Sequence, residues 1–198
     1  MSSHTLHTEH HEVYFCTVTC YNWLPLFEEA RAYPSVYKWF EFLKKDGCYV
    51  SGYVIMPNHV HVLLFPTNPK KSLNKLVGEG KRFMAYDIVR RLDTEDKTNL
   101  LKQLEQGVEE SERKKGKKHQ VFRLSFDARK CFNQKMLEQK LDYIHHNPVN
   151  GKWSLVDDFV TYPHSSAGFY ESESKGFWEV VHYKELNGLI STSESSDE

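Results

Sequence analysis

The chain has 198 residues, 39% hydrophobic and 14% aromatic, which is enough to bury one core and too little for two sizeable ones. Its net charge of −1 excludes a uniformly basic nucleic-acid binder, but the average hides a split: residues 171–198 carry seven Asp/Glu against two Lys, leaving 24 Lys/Arg against 20 Asp/Glu in residues 1–170. No apolar run is long enough to cross a bilayer, the first residues lack a signal-peptide layout, and the four cysteines are scattered outside CxxC spacing, so a soluble cytoplasmic protein with reduced thiols is expected.

Residues 1–11 are polar, hold four histidines and are expected to form a disordered tail. From Glu12, EVYFCTVTC is rich in β-branched and aromatic residues and predicts a strand that ends before a turn between Asn22 and Pro25. Pro34 suits a helix start, and Val36, Trp39, Phe40 and Leu43 recur at helical spacing until Gly47. The stretch CYVSGYVIMPNHVHVLLF is divided by Met56-Pro57-Asn58, which predicts a hairpin with strands near 48–55 and 59–65. Ser72 then caps a helix whose apolar stripe runs from Leu73 to Leu92 and which Gly78 and Gly80 weaken. Residues 93–119, with seven acidic and seven basic residues, predict an exposed insertion. QVFRLSFD returns to strand character, and Leu137, Leu141 and Ile144 share one face of a last helix that Pro148 stops at or before Asn147. The end, STSESSDE, has the composition of a disordered acidic extension.

This order of elements fits an α+β fold: a ferredoxin-like, split-βαβ antiparallel sheet with helices on one face, plus an extra C-terminal helix that carries a tyrosine. One domain over residues 12–170 is expected, with residues 93–119 inserted and an acidic extension from 171.

His59 and His61 are two apart on a predicted strand, so both imidazoles project from one face while Val60 and Val62 point into packing. Two neutral imidazoles at that spacing can chelate a divalent cation, although an isolated His-x-His is more often a polar strand face. Tyr143 and Asn147 are four apart on the last helix and share a face, one turn from each other. Each alone suits a half-buried tyrosine or a helix terminus; a helix laid across the sheet would bring both to the histidines.

The segments GYVIMPNHVHVLLFP at 52–66, LDYIHHNPVNGKW at 141–153 and YPHSSAGFY at 162–170, with TVTCYNWLPLF at 17–27, resemble the single-tyrosine transposases of the His-hydrophobic-His endonuclease class. The REP-associated tyrosine transposases are the group they resemble most. The resemblance implies that His59 and His61 bind a divalent metal, Mg²⁺ or Mn²⁺. It also implies that Tyr143 is a nucleophile leaving a 5′-phosphotyrosine and that Asn147, where relatives often carry Gln, completes the metal site. His145 and His146 lie beside these residues as candidate DNA or proton-transfer partners. The implied partner is single-stranded or hairpin DNA, the implied assembly a monomer or homodimer, and the implied reaction metal-dependent nicking and rejoining.

Phosphate contacts are expected from a basic side of the second long helix: Lys75, Lys81, Arg82 and Arg90, with Arg91 beside them, and Lys81 with Arg82 foremost. The run of Lys114, Lys115, Lys117 and Lys118 is a further candidate, equally readable as solvated surface. Two other readings stay open at this point. One is a catalytically silent module that binds hairpin DNA or RNA, and the other is hydrolysis with water as nucleophile.

Overall fold

The computed structural model describes residues 7, 9–151 and 153–186. In chain order these give β1 (Tyr14–Thr19), α1 (Leu26–Glu29), α2 (Tyr33–Lys45), β2 (Cys48–Met56), β3 (His59–Pro66), α3 (Leu73–Thr94), α4 (Thr98–Gln106), α5 (Glu110–Arg113), β4 (Asp127–Lys130), α6 (Gln134–His146) and α7 (Ala167–Ser172). The four strands form one sheet in the order β2-β3-β1-β4, with every neighbouring pair antiparallel. No helix among the described residues is long and apolar enough to cross a membrane.

Alternation along the strands sorts their side chains to two sides. Tyr14, Cys16 and Val18 of β1 and Val60, Val62 and Leu64 of β3 join one core with Val36, Trp39, Phe40 and Leu43 of α2 and Leu76, Val77, Met84 and Ile88 of α3. Phe15, Leu63, Phe65, Val54 and Met56 face the other way and meet Leu137, Leu141 and Ile144 of α6. The expected helices lie on one face, and the extra C-terminal helix covers the opposite one.

Four expectations need correction. The last strand is Asp127–Lys130 rather than residues 120–127, because between residues 120 and 126 only Phe122 makes a bridge, to Cys20, and pairing with β1 runs on from Asp127. The insertion at 93–119 is not merely exposed. Its α4 packs beside α3, with Leu104 fully buried in the first core. The folded body also runs past 170: the Val181 amide donates to the Val50 carbonyl, and Val180 and Leu186 are buried. At the other end, His7 and residues 9–11, expected to be tail, make contacts: the His7 amide donates to Asn74 Oδ1, Glu9 pairs with Lys130 and the His11 amide donates to the Pro66 carbonyl. The expected disorder of residues 1–6 and 8 and of 191–198 lies outside the described residues.

The two glycines of α3 differ in kind. A Cβ at Gly80 would sit 2.2 Å from Trp39 Nε1, whose indole is held there by its hydrogen bond to the Leu76 carbonyl, so Gly80 permits α2 and α3 to touch. Nothing lies within 4 Å of a Cβ at Gly78. Gly78→Ala should therefore stabilise the protein by about 0.5–1 kcal/mol through helix propensity. Gly80→Ala should destabilise it by about 1–3 kcal/mol through overpacking. Urea unfolding of both variants checks the opposite signs.

Candidate functional site

β3 is an inner strand, and on its second face His59 and His61 are flanked by Thr19 and Thr17 of β1 and by Met56 and Val54 of β2. Both histidines are buried, with ring centroids 4.5 Å apart. Their Nδ1 atoms are both occupied. Asn58 Nδ2 donates to the Trp23 carbonyl at 3.2 Å, which orients the amide so that Oδ1 accepts from His59 Nδ1 at 2.7 Å. Thr17 Oγ1 meets His61 Nδ1 at 2.9 Å. For His59 this fixes the tautomer with its lone pair on Nε2, and for His61 it leaves Nε2 as the uncommitted ring nitrogen. Phe15 stacks on His61 at 5.2 Å, and Trp23 stands edge-on to His59 at 5.8 Å.

Burial pushes the His59 pKa down to about 4, opposed in part by the nearby Asn147 side chain. Burial, helped by the neighbouring His59 and Lys140, takes His61 to about 3. Both rings are therefore neutral near pH 7 and have lone pairs to offer.

α6 starts at Asn133, whose side chain accepts from the Met136 amide, and packs Leu137, Leu141 and Ile144 onto the sheet. Its approach is close at Gly52, where a Cβ would fall 2.5 Å from Leu141 Cδ1. Tyr143 then projects beside the histidines, its ring 5.3 Å from that of His61 and 6.1 Å from that of Phe15, with 51% of the residue exposed. One turn on, Asn147 occupies the C-cap of the helix, with its side chain near the His59 ring. Lys140 Nζ lies 4.9 Å over the Phe15 ring and 6.0 Å over that of Tyr143. Two neutral imidazoles, an amide, an accessible phenol and a cation are thus brought together.

The donor set suits a divalent ion only if the amide takes part, since the described residues contain no group of three or more His, Cys, Asp or Glu placed to hold a metal. Two imidazole nitrogens and an amide oxygen are acceptable ligands for such ions.

His145 is turned elsewhere: it is buried, and its Nε2 meets Ser166 Oγ at 2.9 Å, while Ser166 in turn receives the Tyr53 amide. His146 faces Asp142 and Phe159. The segment 162–170 buttresses β2. The Tyr162 hydroxyl donates to the Ile55 carbonyl, the Ile55 amide to the His164 carbonyl, and the Tyr170 hydroxyl to the Ser51 carbonyl.

The basic residues of α3 divide. Lys81 directs its ammonium at the carbonyls of Arg123, Leu124 and Ser125, so it holds a loop where a phosphate contact was expected. Burial, with Lys117 nearby, lowers its pKa to about 8. Arg90 and Arg91 both grip Asp87. Lys75 and Arg82 are exposed, with the Arg82 guanidinium over the Tyr86 ring. Sequence reasoning missed Thr17, Asn58, Trp23 and Lys140. Asn58 beside His59 was the one with a signal, as an amide next to a candidate ligand.

No family model and no curated protein matches the sequence. Among solved structures, the chain is similar to a REP-associated tyrosine transposase bound to a REP hairpin, with a TM-score of 0.54 and 16% identity over 90% of this chain and 89% of that one. The two share a fold, a mixed α+β body built on an open four-stranded antiparallel sheet.

His145 anchors the tyrosine helix, and its environment predicts an acid sensitivity. Burial lowers its pKa from 6.5 to about 4, so its contribution to stability is full above pH 6.5 and is lost as pH falls from there toward 4. By pH 5 the loss from this residue should approach about 2 kcal/mol at most. Urea unfolding at pH 7 and pH 5 should show a smaller drop for His145→Gln than for the unaltered protein.

Proposed function

We propose that the chain is a metal-dependent, single-tyrosine DNA strand transferase of the transposase type, acting on single-stranded or hairpin DNA. The observation that carries this reading is the placement of Tyr143 and Asn147 against two neutral, oriented histidines. Its fold relative was solved with a DNA hairpin bound, which supports DNA as the substrate class.

His59, His61 and Asn147 would hold the divalent ion, Mg²⁺ or Mn²⁺, which when bound supplies Lewis-acid polarisation of the scissile phosphate. Asn58 and Thr17 hold the Nδ1 side of the two imidazoles, so that their Nε2 atoms would serve as the ligands. Tyr143 is the nucleophile. A phenol is a weak one at neutral pH, so its proton must leave as its oxygen bonds to phosphorus. The phosphorus–O3′ bond breaks, the 3′ oxygen takes up a proton and departs as a hydroxyl, and the 5′-phosphate stays on Tyr143. Lys140, beside the phenol ring, offsets the negative charge gathered there. Attack by a 3′-hydroxyl on the phosphotyrosine reverses these steps and rejoins DNA with no energy source.

Labelled hairpin-rich single-stranded oligonucleotides incubated with Mn²⁺ should yield a denaturation-resistant adduct that disappears with chelator and in Tyr143→Phe. Hairpin binding that persists without metal and never yields an adduct would instead favour a binding module. Calorimetric titration should show Mn²⁺ affinity falling about 10–100-fold in Asn58→Ala and in Thr17→Val. Tyr143→Phe should keep the affinity of the unaltered protein.

A further inference from the structure

The segment that carries the insertion does more than fill space. Its return path over residues 116–126 stands across from α3, and between the two lies a groove of about 1010 Å³. That is at the upper end of the range of about 300–1,000 Å³ typical of small-molecule pockets. One wall is the side of α3 that presents Gly78, Arg82 and Tyr86, and the other carries Lys117, Lys118 and Arg123. Gly78 leaves its wall open, since nothing lies within 4 Å of the place of its Cβ. The opposite wall is tied down by Lys81 through the carbonyls of residues 123–125.

Charge and surface type in the groove are one-sided. Among the described residues, no Asp or Glu lines it. Within the lysine run, Lys114 and Lys115 are paired with Glu110 and Glu112, whereas Lys117 and Lys118, which face the groove, have no ion pair among the described residues. Tyr86 offers a ring to it that is 66% exposed. Cations that track a backbone beside an exposed aromatic are what an unpaired nucleic-acid strand requires.

The groove also has a direction. Arg123 lines it and lies 4.7 Å over the Trp23 ring, and Trp23 stands edge-on to His59 at 5.8 Å. Trp23 is itself 46% exposed. A path of cation and aromatic surface therefore leads from the groove to the histidine pair.

The geometry points to this groove as the seat of an unpaired DNA strand, with a base stacked on Tyr86, phosphates on Lys117 and Lys118, and the chain handed by Arg123 and Trp23 toward Tyr143. The inference rests on the strand-transferase reading for what happens at the far end. Binding in the groove is independent of it.

The test is fluorescence anisotropy of the full-length protein with a short labelled oligodeoxythymidine over a range of salt. Tyr86→Ala should raise Kd about tenfold, and Tyr86→Trp should restore binding. Lys117→Ala with Lys118→Ala should weaken binding and flatten the salt slope by about 1.4, the release expected for two single-strand phosphate contacts. Wild-type affinity and slope in these variants would overturn the proposal, as would tighter binding of oligouridine than of oligodeoxythymidine. Groove variants that bind normally while a Tyr143 adduct still forms would sink the groove alone. Weakened variants with no adduct on any substrate would uphold the groove and sink the transferase reading.

Discussion

Leu141 fills the space that a side chain on Gly52 would need, and through that contact the last helix settles onto the second face of the sheet. The rest of the site depends on this approach. β3 can present two histidines from its own alternation, but Tyr143 and Asn147 belong to a helix some eighty residues later in the chain, and only packing brings them together. Leu137, Leu141 and Ile144 set the depth of the helix, while the hydrogen bond between His145 and Ser166 fixes its rotation at the end nearest the tyrosine. The segment after the helix then folds back along β2 and closes the arrangement with the hydroxyls of Tyr162 and Tyr170.

The same burial that holds the helix sets the electrostatics. Imidazoles withdrawn from water resist protonation, so the pair stays neutral and can donate electron pairs over the whole physiological range. The tyrosine is placed differently, half in solvent, where a large polyanion can reach it. Buried donors beneath an exposed phenol would suit the proposed reaction, whose substrate would arrive from the surface. The positive charge that such a proposed substrate would need is absent from the net charge and present locally, at Lys140 and along the groove beside α3.

Much of this was legible in the sequence because it rests on short periods. Period two put His59 and His61 on one face and the valines between and after them on the other. Helical spacing put Tyr143 beside Asn147 and behind Leu137 and Leu141, and Met56-Pro57-Asn58 marked the hairpin. What stayed hidden depends on contacts distant in the chain. Lys81 has the composition of a phosphate contact, and only the fold shows its ammonium turned onto three carbonyls. Leu104 sits in a segment too charged to suggest a core residue, yet one buried leucine is enough to dock a short helix. The last strand was misplaced because QVFRLSF has strand composition, while the pairing with β1 falls on the polar DARK that follows it. Gly52 gave no sign in the sequence that it makes room for a helix.

The two histidines and Asn147 are proposed to form a single cation site beside Tyr143, and anomalous scattering from crystals soaked in Mn²⁺ reads that site out. One strong peak in contact with Nε2 of both His59 and His61 and with the Asn147 side chain is expected, absent from crystals of His61→Ala. A peak at another place, or none at saturating Mn²⁺ with the three side chains unobstructed, would contradict it.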